Sequence, residues 1–185
     1  MMRRFLARFT RREDGVSAIE FALFAPIFLL ILAAATDFGA LIHTRSQLEA
    51  ALSNATSFAM ASGQQMTVDN AASLALNSAK VLIGQAGTDA GASIVVNNGP
   101  SATYTEKLYG QSGQAAPAAQ CYCPSRDGAA VRWGSPVSCS TPCSNGGFAG
   151  KFVALSVTVG YRPLFVDYGL TENGVISLSA LARLQ

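Results

Sequence analysis

Residues 15–36 read Gly-Val-Ser-Ala-Ile-Glu-Phe-Ala-Leu-Phe-Ala-Pro-Ile-Phe-Leu-Leu-Ile-Leu-Ala-Ala-Ala-Thr, and Glu20 is the single charged residue among them. An α-helix rises about 1.5 Å per residue, so Val16–Thr36 would span roughly 30 Å, the thickness of a bilayer's hydrocarbon core. A carboxylate inside such a segment costs about 2.5–3.5 kcal/mol at the centre and less near the ends. The stretch therefore predicts a transmembrane helix in which Glu20 has a function.

The charges on either side of this stretch predict its orientation. Residues 1–15 carry five arginines and two acidic residues, whereas the rest of the chain is slightly acidic. Positive charges beside a membrane helix stay in the cytoplasm, which places the C-terminal bulk outside. Because no basic patch occurs outside the leader, the composition gives no support to nucleic-acid binding. The arginines are Arg3, Arg4, Arg8, Arg11 and Arg12.

A basic leader, a glycine, a glutamate five residues later and an apolar helix resemble the processing site of type IV prepilins and pseudopilins. The form Gly15-Val-Ser-Ala-Ile-Glu20-Phe21-Ala22 is most similar to TadE-type pseudopilins of the Tad (tight adherence, Flp pilus) system. The resemblance implies that a prepilin peptidase cleaves between Gly15 and Val16. It also implies that the Glu20-Phe21 pair acts in assembly, with Glu20 pairing with the terminal amine of a neighbouring subunit.

The same resemblance implies a function, partners and a location. The chain would be a minor pseudopilin acting in pilus assembly, adherence or secretion. Its partners would be the peptidase, other pilins or pseudopilins, the Tad inner-membrane assembly proteins and membrane lipid, without nucleic acid or a small-molecule substrate. It would cross the bacterial inner membrane once, with its N-terminus cytoplasmic and its C-terminal domain periplasmic, and the surface pilus is a further destination.

Three alternatives remain for the N-terminal region. Ala33-Ala34-Ala35 could serve as the cleavage site of an ordinary secretory signal peptide, although the apolar run is longer than the usual 7–15 residues. The chain could also stay uncleaved, as a single-pass anchor for an extracytoplasmic binding module. The sequence Ser17–Glu20 also fits a capping box, which would give Glu20 a structural reason.

The helix is predicted to continue well beyond the membrane segment. Apolar residues recur every three or four positions after Thr36, so a helix with one apolar face should reach Ser62 and be capped by Gly63. Arg45 and Glu49 form an i,i+4 pair on it. His43 has no partner cluster in sequence and reads as a partly exposed helical residue. The apolar positions are Phe38, Leu41, Leu48, Leu52, Ala55 and Ala59.

The remainder predicts a small α+β domain. A second helix should follow a cap at Thr67 or Asp69 and end at Gly84, with an apolar face of Ala71, Ala72, Ala75, Ala79 and Leu82. Alternating patterns then predict antiparallel strands at Ala92–Asn97, Thr103–Tyr109, Lys151–Tyr161 and Val175–Leu184, with a turn at 97–100 and a loop at 110–120. The domains are thus a leader (1–15), a transmembrane helix (16–36) and an extracytoplasmic pilin-like α+β domain (37–185).

Four cysteines, all in the extracytoplasmic part, predict two disulfides. Cys121 and Cys123 are too close in sequence for a relaxed bridge, which leaves two pairings open. Either 121–139 occurs with 123–143, or 121–143 with 123–139. A zinc site formed by the four thiolates is the rival, but the C-x-C and C-x₃-C spacings differ from the usual C-x₂-C. The cysteines are Cys121, Cys123, Cys139 and Cys143.

The sequence offers no catalytic constellation. With one histidine, it has no Ser/His/Asp or Cys/His set, and it lacks a phosphate-binding loop, a dinucleotide fingerprint and a C-x-x-C redox pair. We therefore expect that the protein is not an enzyme and that it uses no cofactor and no metal.

Overall fold

The computed structural model describes residues 16–128, 130–165, 169, 171 and 173–184, so the leader and Gly15 lie outside the described residues. The described residues form an α+β fold, which confirms the predicted class. Helix α1 (Val16–Gly63) and helix α2 (Ala71–Ala86) precede the strands. The strands are β1 (Ala90–Val96), β2 (Ser101–Thr105), β3 (Leu108–Ser112), β4 (Ser125–Asp127), β5 (Ala130–Arg132), β6 (Phe152–Gly160) and β7 (Val175–Arg183).

The described residues fall into two compact units. The first unit comprises residues 16–41 and 163–165, and the second comprises 42–162 with the described residues from 169 onward. Helix α1 contributes its N-terminal part to the first unit and its C-terminal part to the second. We refer to the first unit as the anchor unit and to the second as the head unit.

The head unit is built on a five-stranded antiparallel sheet with the order β3-β2-β1-β6-β7. Strand β6 pairs with β1 on one side over seven residues and with β7 on the other over nine, so this mainly apolar strand lies inside the sheet. Strands β4 and β5 form a separate two-stranded ribbon. Alternation along β1 buries every second side chain, as expected of a sheet covered on one face.

The core of the head unit lies between this sheet and the two helices. Helix α2 packs on β1 and β2. The end of α1 lies close to the residue that follows β7, since a Cβ atom at Gly63 would clash with the side chain of Leu184. The buried apolar positions of α1 are Leu48, Ala51, Leu52, Ala55 and Ala59, and those of β6 are Val153, Leu155 and Val157.

Helix α1 agrees with the predicted bounds, but the predicted apolar face is wrong at its N-terminal end. Phe38 is 53% exposed, and the neighbouring Asp37 is buried in its place. The prediction treated all of these positions as one continuous apolar face. Phe38 and Leu48 belong to different units, so they need not be buried on the same face. Ser17 lies inside the helix and not at its N-cap, so the structure does not form the predicted capping box.

Helix α2 differs from the prediction at both ends and on one face. Asn70 is its N-cap residue, and its side-chain carbonyl accepts a hydrogen bond from the Thr67 backbone N–H at 2.8 Å. The helix continues through Gly84 to Ala86, and Gly87, with a φ of 96°, closes it by donating to the Ile83 carbonyl. Gly87 has a positive φ, which favours glycine, and Gly84 does not. Ala72 is exposed, and Leu74 takes its place in the core.

The predicted strand Thr103–Tyr109 is two strands. Thr105 pairs with Leu108, so Glu106 and Lys107 form a two-residue turn between β2 and β3. Both turn residues have a positive φ (51° and 64°), as a type I′ turn requires. The usual signal for such a turn is Asn-Gly or Asp-Gly, and Glu-Lys lacks it. The predicted turn at 97–100 is confirmed, since Val96 bonds to the Pro100 carbonyl.

The predicted loop 110–120 is partly regular. Strand β3 takes its first residues to Ser112, and Ala116–Ala119 forms a 3₁₀ turn. The side-chain amide of Asn97, which is fully buried, donates to the carbonyls of Pro117, Ala118 and Gln120 at 3.1, 3.2 and 2.6 Å. A polar side chain from the β1–β2 turn therefore orders a segment whose composition indicated a loop.

Candidate functional site

The N-terminal part of α1 has the surface of a membrane-spanning segment. Its most apolar 18-residue window has a mean hydropathy of 2.4, and none of that window is buried within the protein. Large side chains are exposed on every side of the helix, which in water would be unfavourable and in a bilayer is normal. The helix continues through Pro26 without interruption. The exposed residues are Ile19, Phe21, Leu23, Phe24, Ile27, Phe28, Leu29, Leu30, Ile31 and Leu32.

The predicted assembly residues lie at the start of this segment. Glu20 is the fifth residue of α1, and both it and Phe21 are exposed. The described part of the chain provides no hydrogen-bond or ion-pair partner for the Glu20 carboxylate. Val16 is the first described residue, and Gly15 lies outside the described residues. The structure thus places Glu20 on an apolar surface where no partner among residues 16–128, 130–165, 169, 171 and 173–184 neutralises it.

A second carboxylate, which the sequence analysis did not identify, lies at the other end of the segment. Asp37 is only 2% exposed, and its two carboxylate oxygens accept hydrogen bonds from the backbone N–H groups of Leu164 and Phe165 at 2.6 and 3.1 Å. We call this arrangement the Asp37 clamp. An acidic residue directly after an apolar run was the only signal in the sequence, and a partner 127 positions away cannot be found from local patterns.

An open apolar groove lies beside the Asp37 clamp. Its volume is about 640 Å³, and its lining is almost entirely apolar. The Thr36 hydroxyl donates to its own helix, at the carbonyls of Leu32 and Ala33, so it presents no unsatisfied donor to the groove. All lining residues belong to the anchor unit: Pro26, Leu29, Leu30, Leu32, Ala33, Thr36 and Phe165.

Beyond the anchor unit, α1 carries the predicted polar pair. Arg45 Nε and Glu49 Oε1 are 3.0 Å apart, and both side chains are well exposed. An exposed pair of this kind contributes little to stability. His43 is exposed and lies 3.0 Å from the Gln47 side-chain amide, which agrees with a surface residue.

The cysteine segment contains two disulfides. Cys121 is bonded to Cys139 and Cys123 to Cys143, which is the first of the two pairings that the sequence left open. No thiolate is left for the rival zinc site. Near the bridges, the rings of Trp133 and the buried Tyr122 form a T-shaped contact with centroids 6.0 Å apart. The bridges and the aromatic contact add to backbone hydrogen bonds, such as the one that the Tyr122 N–H donates to the Gly150 carbonyl at 2.9 Å, in a segment that has little regular structure.

Titratable groups are scattered over the described part of the head unit. No cluster of three or more His, Cys, Asp or Glu side chains that could hold a metal ion occurs among the described residues. Burial raises the pKa of Tyr109 above its usual value, and the neighbouring Tyr104, with ring centroids 4.6 Å apart, adds to the shift. A raised phenol pKa keeps Tyr109 neutral near pH 7, where it could not act as a base.

The comparison with protein families gives a match for the N-terminal segment. Residues 15–57 match the model of the family described as TadE-like protein. This part of the chain is TadE-like. The predicted resemblance to TadE-type proteins is confirmed, and the matching segment covers the apolar N-terminal part of α1 and its continuation as far as Ser57. The match supports the conclusion that the chain is a membrane protein related to the Tad pilus system. No curated protein and no solved structure gives a significant match to the chain.

Proposed function

We propose that this protein is a minor pseudopilin of a Tad (Flp) type IV-like pilus, cleaved by a prepilin peptidase between Gly15 and Val16. The observation that carries the proposal is one unbroken helix with two surfaces. Its TadE-like N-terminal part exposes large apolar side chains on all sides, and its C-terminal part buries one face in the head unit. A segment of this kind can pack in a bilayer first and against neighbouring helices in a filament afterwards.

The orientation follows from the leader and the cysteines. Five arginines before Gly15 favour a cytoplasmic N-terminus. The head unit is then periplasmic, a compartment in which its two disulfides persist. The protein would cross the inner membrane once, act in pilus assembly, adherence or secretion, and present its head unit to other pilins or to Tad assembly proteins.

Glu20 supports an assembly role for the helix. Its carboxylate lies on an apolar surface and has no partner within the described chain. Cleavage after Gly15 would create a terminal amine at Val16, four positions before the carboxylate of Glu20. The amine of one subunit could then pair with Glu20 of the next. An unpaired charge at this depth is unfavourable, so the pairing would select one register between neighbouring helices.

The proposed role requires no catalysis and no cofactor in this chain. The protein is instead the substrate of the peptidase and a component of an assembly. Its binding surfaces are the apolar helix, which meets lipid or other helices, and the head unit. Phe21, exposed beside Glu20, would contribute apolar contact at the same helix surface.

Mass spectrometry of the protein purified from cells with and without the peptidase tests the processing step. We expect loss of residues 1–15 only when the peptidase is present. A protein that keeps its full length in both cells would be an anchored binding module, and a mature N-terminus at Thr36 would indicate a signal peptide. Either result rejects the proposal.

A matched pair of variants tests the assembly step. Glu20→Gln removes the charge from the apolar part of α1, and Glu49→Gln removes a charge from an exposed ion pair on the same helix. We expect Glu20→Gln to abolish or strongly reduce pilus assembly while membrane insertion is kept, and Glu49→Gln to leave assembly unchanged. Normal assembly by Glu20→Gln would show that the pairing role is wrong.

A further inference from the structure

The Asp37 clamp holds two exposed apolar side chains against the membrane-facing helix. Leu164 and Phe165 are 74% and 63% exposed, although their backbone N–H groups are bonded to a buried carboxylate. Hydrogen bonds to a charged acceptor are about twice as strong as neutral ones, so the clamp fixes the backbone of these residues firmly. The clamp therefore orders this backbone while the large apolar side chains of Leu164 and Phe165 stay exposed.

The position of Asp37 along α1 indicates what surrounds those side chains. Val16–Thr36 spans roughly the thickness of the hydrocarbon core, so Asp37 follows directly after the apolar segment. The groove beside Asp37 is lined by helix residues from Pro26 to Thr36 and therefore runs along roughly 15 Å of helix, about half of that core. Phe165 lines this groove together with helix residues that themselves face outward.

We propose that Leu164 and Phe165 form a second membrane contact, in which they insert beside α1 into the leaflet nearer Asp37 and lipid acyl chains fill the groove. The inference rests on the proposed function only in that α1 spans a membrane. It assigns Asp37 a positioning role, because the carboxylate satisfies two backbone donors that would otherwise be costly in an apolar environment.

Lipid is the occupant that the lining favours. Helices that pack closely against one another in membranes use small residues, which let the backbones approach. The groove is lined mainly by large side chains, with Ala33 as the one small apolar residue. Its surface is also continuous with helix faces that are exposed all round and therefore face hydrocarbon in a membrane span. Flexible acyl chains fit an irregular surface of this kind better than a second helix does.

Tryptophan fluorescence of the full chain in vesicles tests the proposal. Phe165→Trp is introduced together with Trp133→Phe, so that the chain contains a single tryptophan. Phosphatidylcholine vesicles are prepared with and without bromine on the acyl chains, which quenches only tryptophans that reach the hydrocarbon. Phe28→Trp in the same Trp133→Phe background is the control, because Phe28 lies within the membrane segment itself and is exposed.

We expect emission from Phe165→Trp to be quenched by brominated lipid to an extent comparable with Phe28→Trp. Adding Asp37→Ala should reduce this quenching and move the emission to longer wavelength, while Phe28→Trp should respond little to the same change. Asp37→Asn keeps one carbonyl acceptor and should give an intermediate result. Circular dichroism of each variant verifies that the helices and sheet are retained.

Three results would overturn the proposal. Quenching of Phe28→Trp without quenching of Phe165→Trp rejects the second contact and leaves membrane anchoring intact. Quenching of neither rejects anchoring itself, and the proposal with it. Protection of Phe165→Trp from both brominated lipid and aqueous acrylamide, increasing with the protein-to-lipid ratio, would show that a second copy of the chain fills the groove.

Discussion

The two parts of helix α1 use the same backbone geometry with opposite side-chain surfaces. In the anchor unit Leu30 is 66% exposed, and in the head unit Leu48 is 2% exposed. The first part carries large apolar residues in every direction, whereas the second places alanines at the contact with the rest of the head unit. The buried alanines are Ala51, Ala55 and Ala59.

This difference shows that the two parts owe their stability to different surroundings. A helix that is apolar all round requires a bilayer or neighbouring helices to cover it. A helix with small residues along one face requires a specific complementary surface, because close packing depends on the shape of both partners. The anchor part should therefore tolerate changes of shape that keep its hydropathy, and the head part should not.

The same substitution in the two parts tests this contrast most strongly. Leu48→Ala removes a buried side chain and should lower the free energy of unfolding by about 2–5 kcal/mol. Leu30→Ala removes an exposed side chain of the membrane segment and should leave the unfolding of the head unit unchanged. Urea unfolding of the full chain in detergent, followed by Trp133 fluorescence, measures both. Equal changes in the free energy of unfolding for the two variants would mean that both parts of α1 depend equally on packing within the protein.

The disulfides give a second test of the difference between the two units, since both bridges lie within the head unit. Cys123→Ser combined with Cys143→Ser opens a loop with a sequence separation of 20. Loop-closure entropy for such a loop predicts a loss of about 3 kcal/mol. The double variant should unfold at lower urea concentration and still fractionate with membranes. A shift of the protein to the soluble fraction would contradict the independence of membrane anchoring from the bridges.

A neighbouring pair of asparagines gives the smallest expected effect. Asn97 and Asn98 both have a positive φ (50° and 57°), but only Asn97 is buried and bonded to the segment 117–120. Its carbonyl also accepts from the Phe152 N–H at 3.2 Å. In both variants alanine must adopt a positive φ, which is unfavourable. The difference between their free energies of unfolding therefore reports on the side-chain hydrogen bonds of Asn97. We expect Asn97→Ala to cost about 1–3 kcal/mol more than Asn98→Ala, measured by urea unfolding.

A smaller difference in the free energy of unfolding between the two variants would mean that interactions other than those of Asn97 order the segment 117–120. The 3₁₀ turn Ala116–Ala119 would then depend on its own proline and on the nearby bridge at Cys121, and not on Asn97. The experiment thus separates polar side-chain bonding from covalent restraint in the head unit.

Much of the fold was predictable because it depends on local periodicity. The length of α1, the turn at 97–100 and the strands β6 and β7 follow from spacings of residues that are close in sequence. The errors occurred where the local signal was weak or absent. The turn at Glu106-Lys107 has none of the usual residues, and the exposure of Phe38 depends on which unit its part of α1 belongs to.

The sequence by itself determined the apolar segment, the basic residues before it, the TadE-like motif and the even number of cysteines, because each is a matter of composition or short spacing. The tertiary structure alone decided the pairing of Cys121 with Cys139 and the burial of Asp37 against Leu164 and Phe165. The reason is physical. A hydrogen bond or disulfide between distant residues depends on where the chain returns in space, and one-dimensional periodicity does not contain that information.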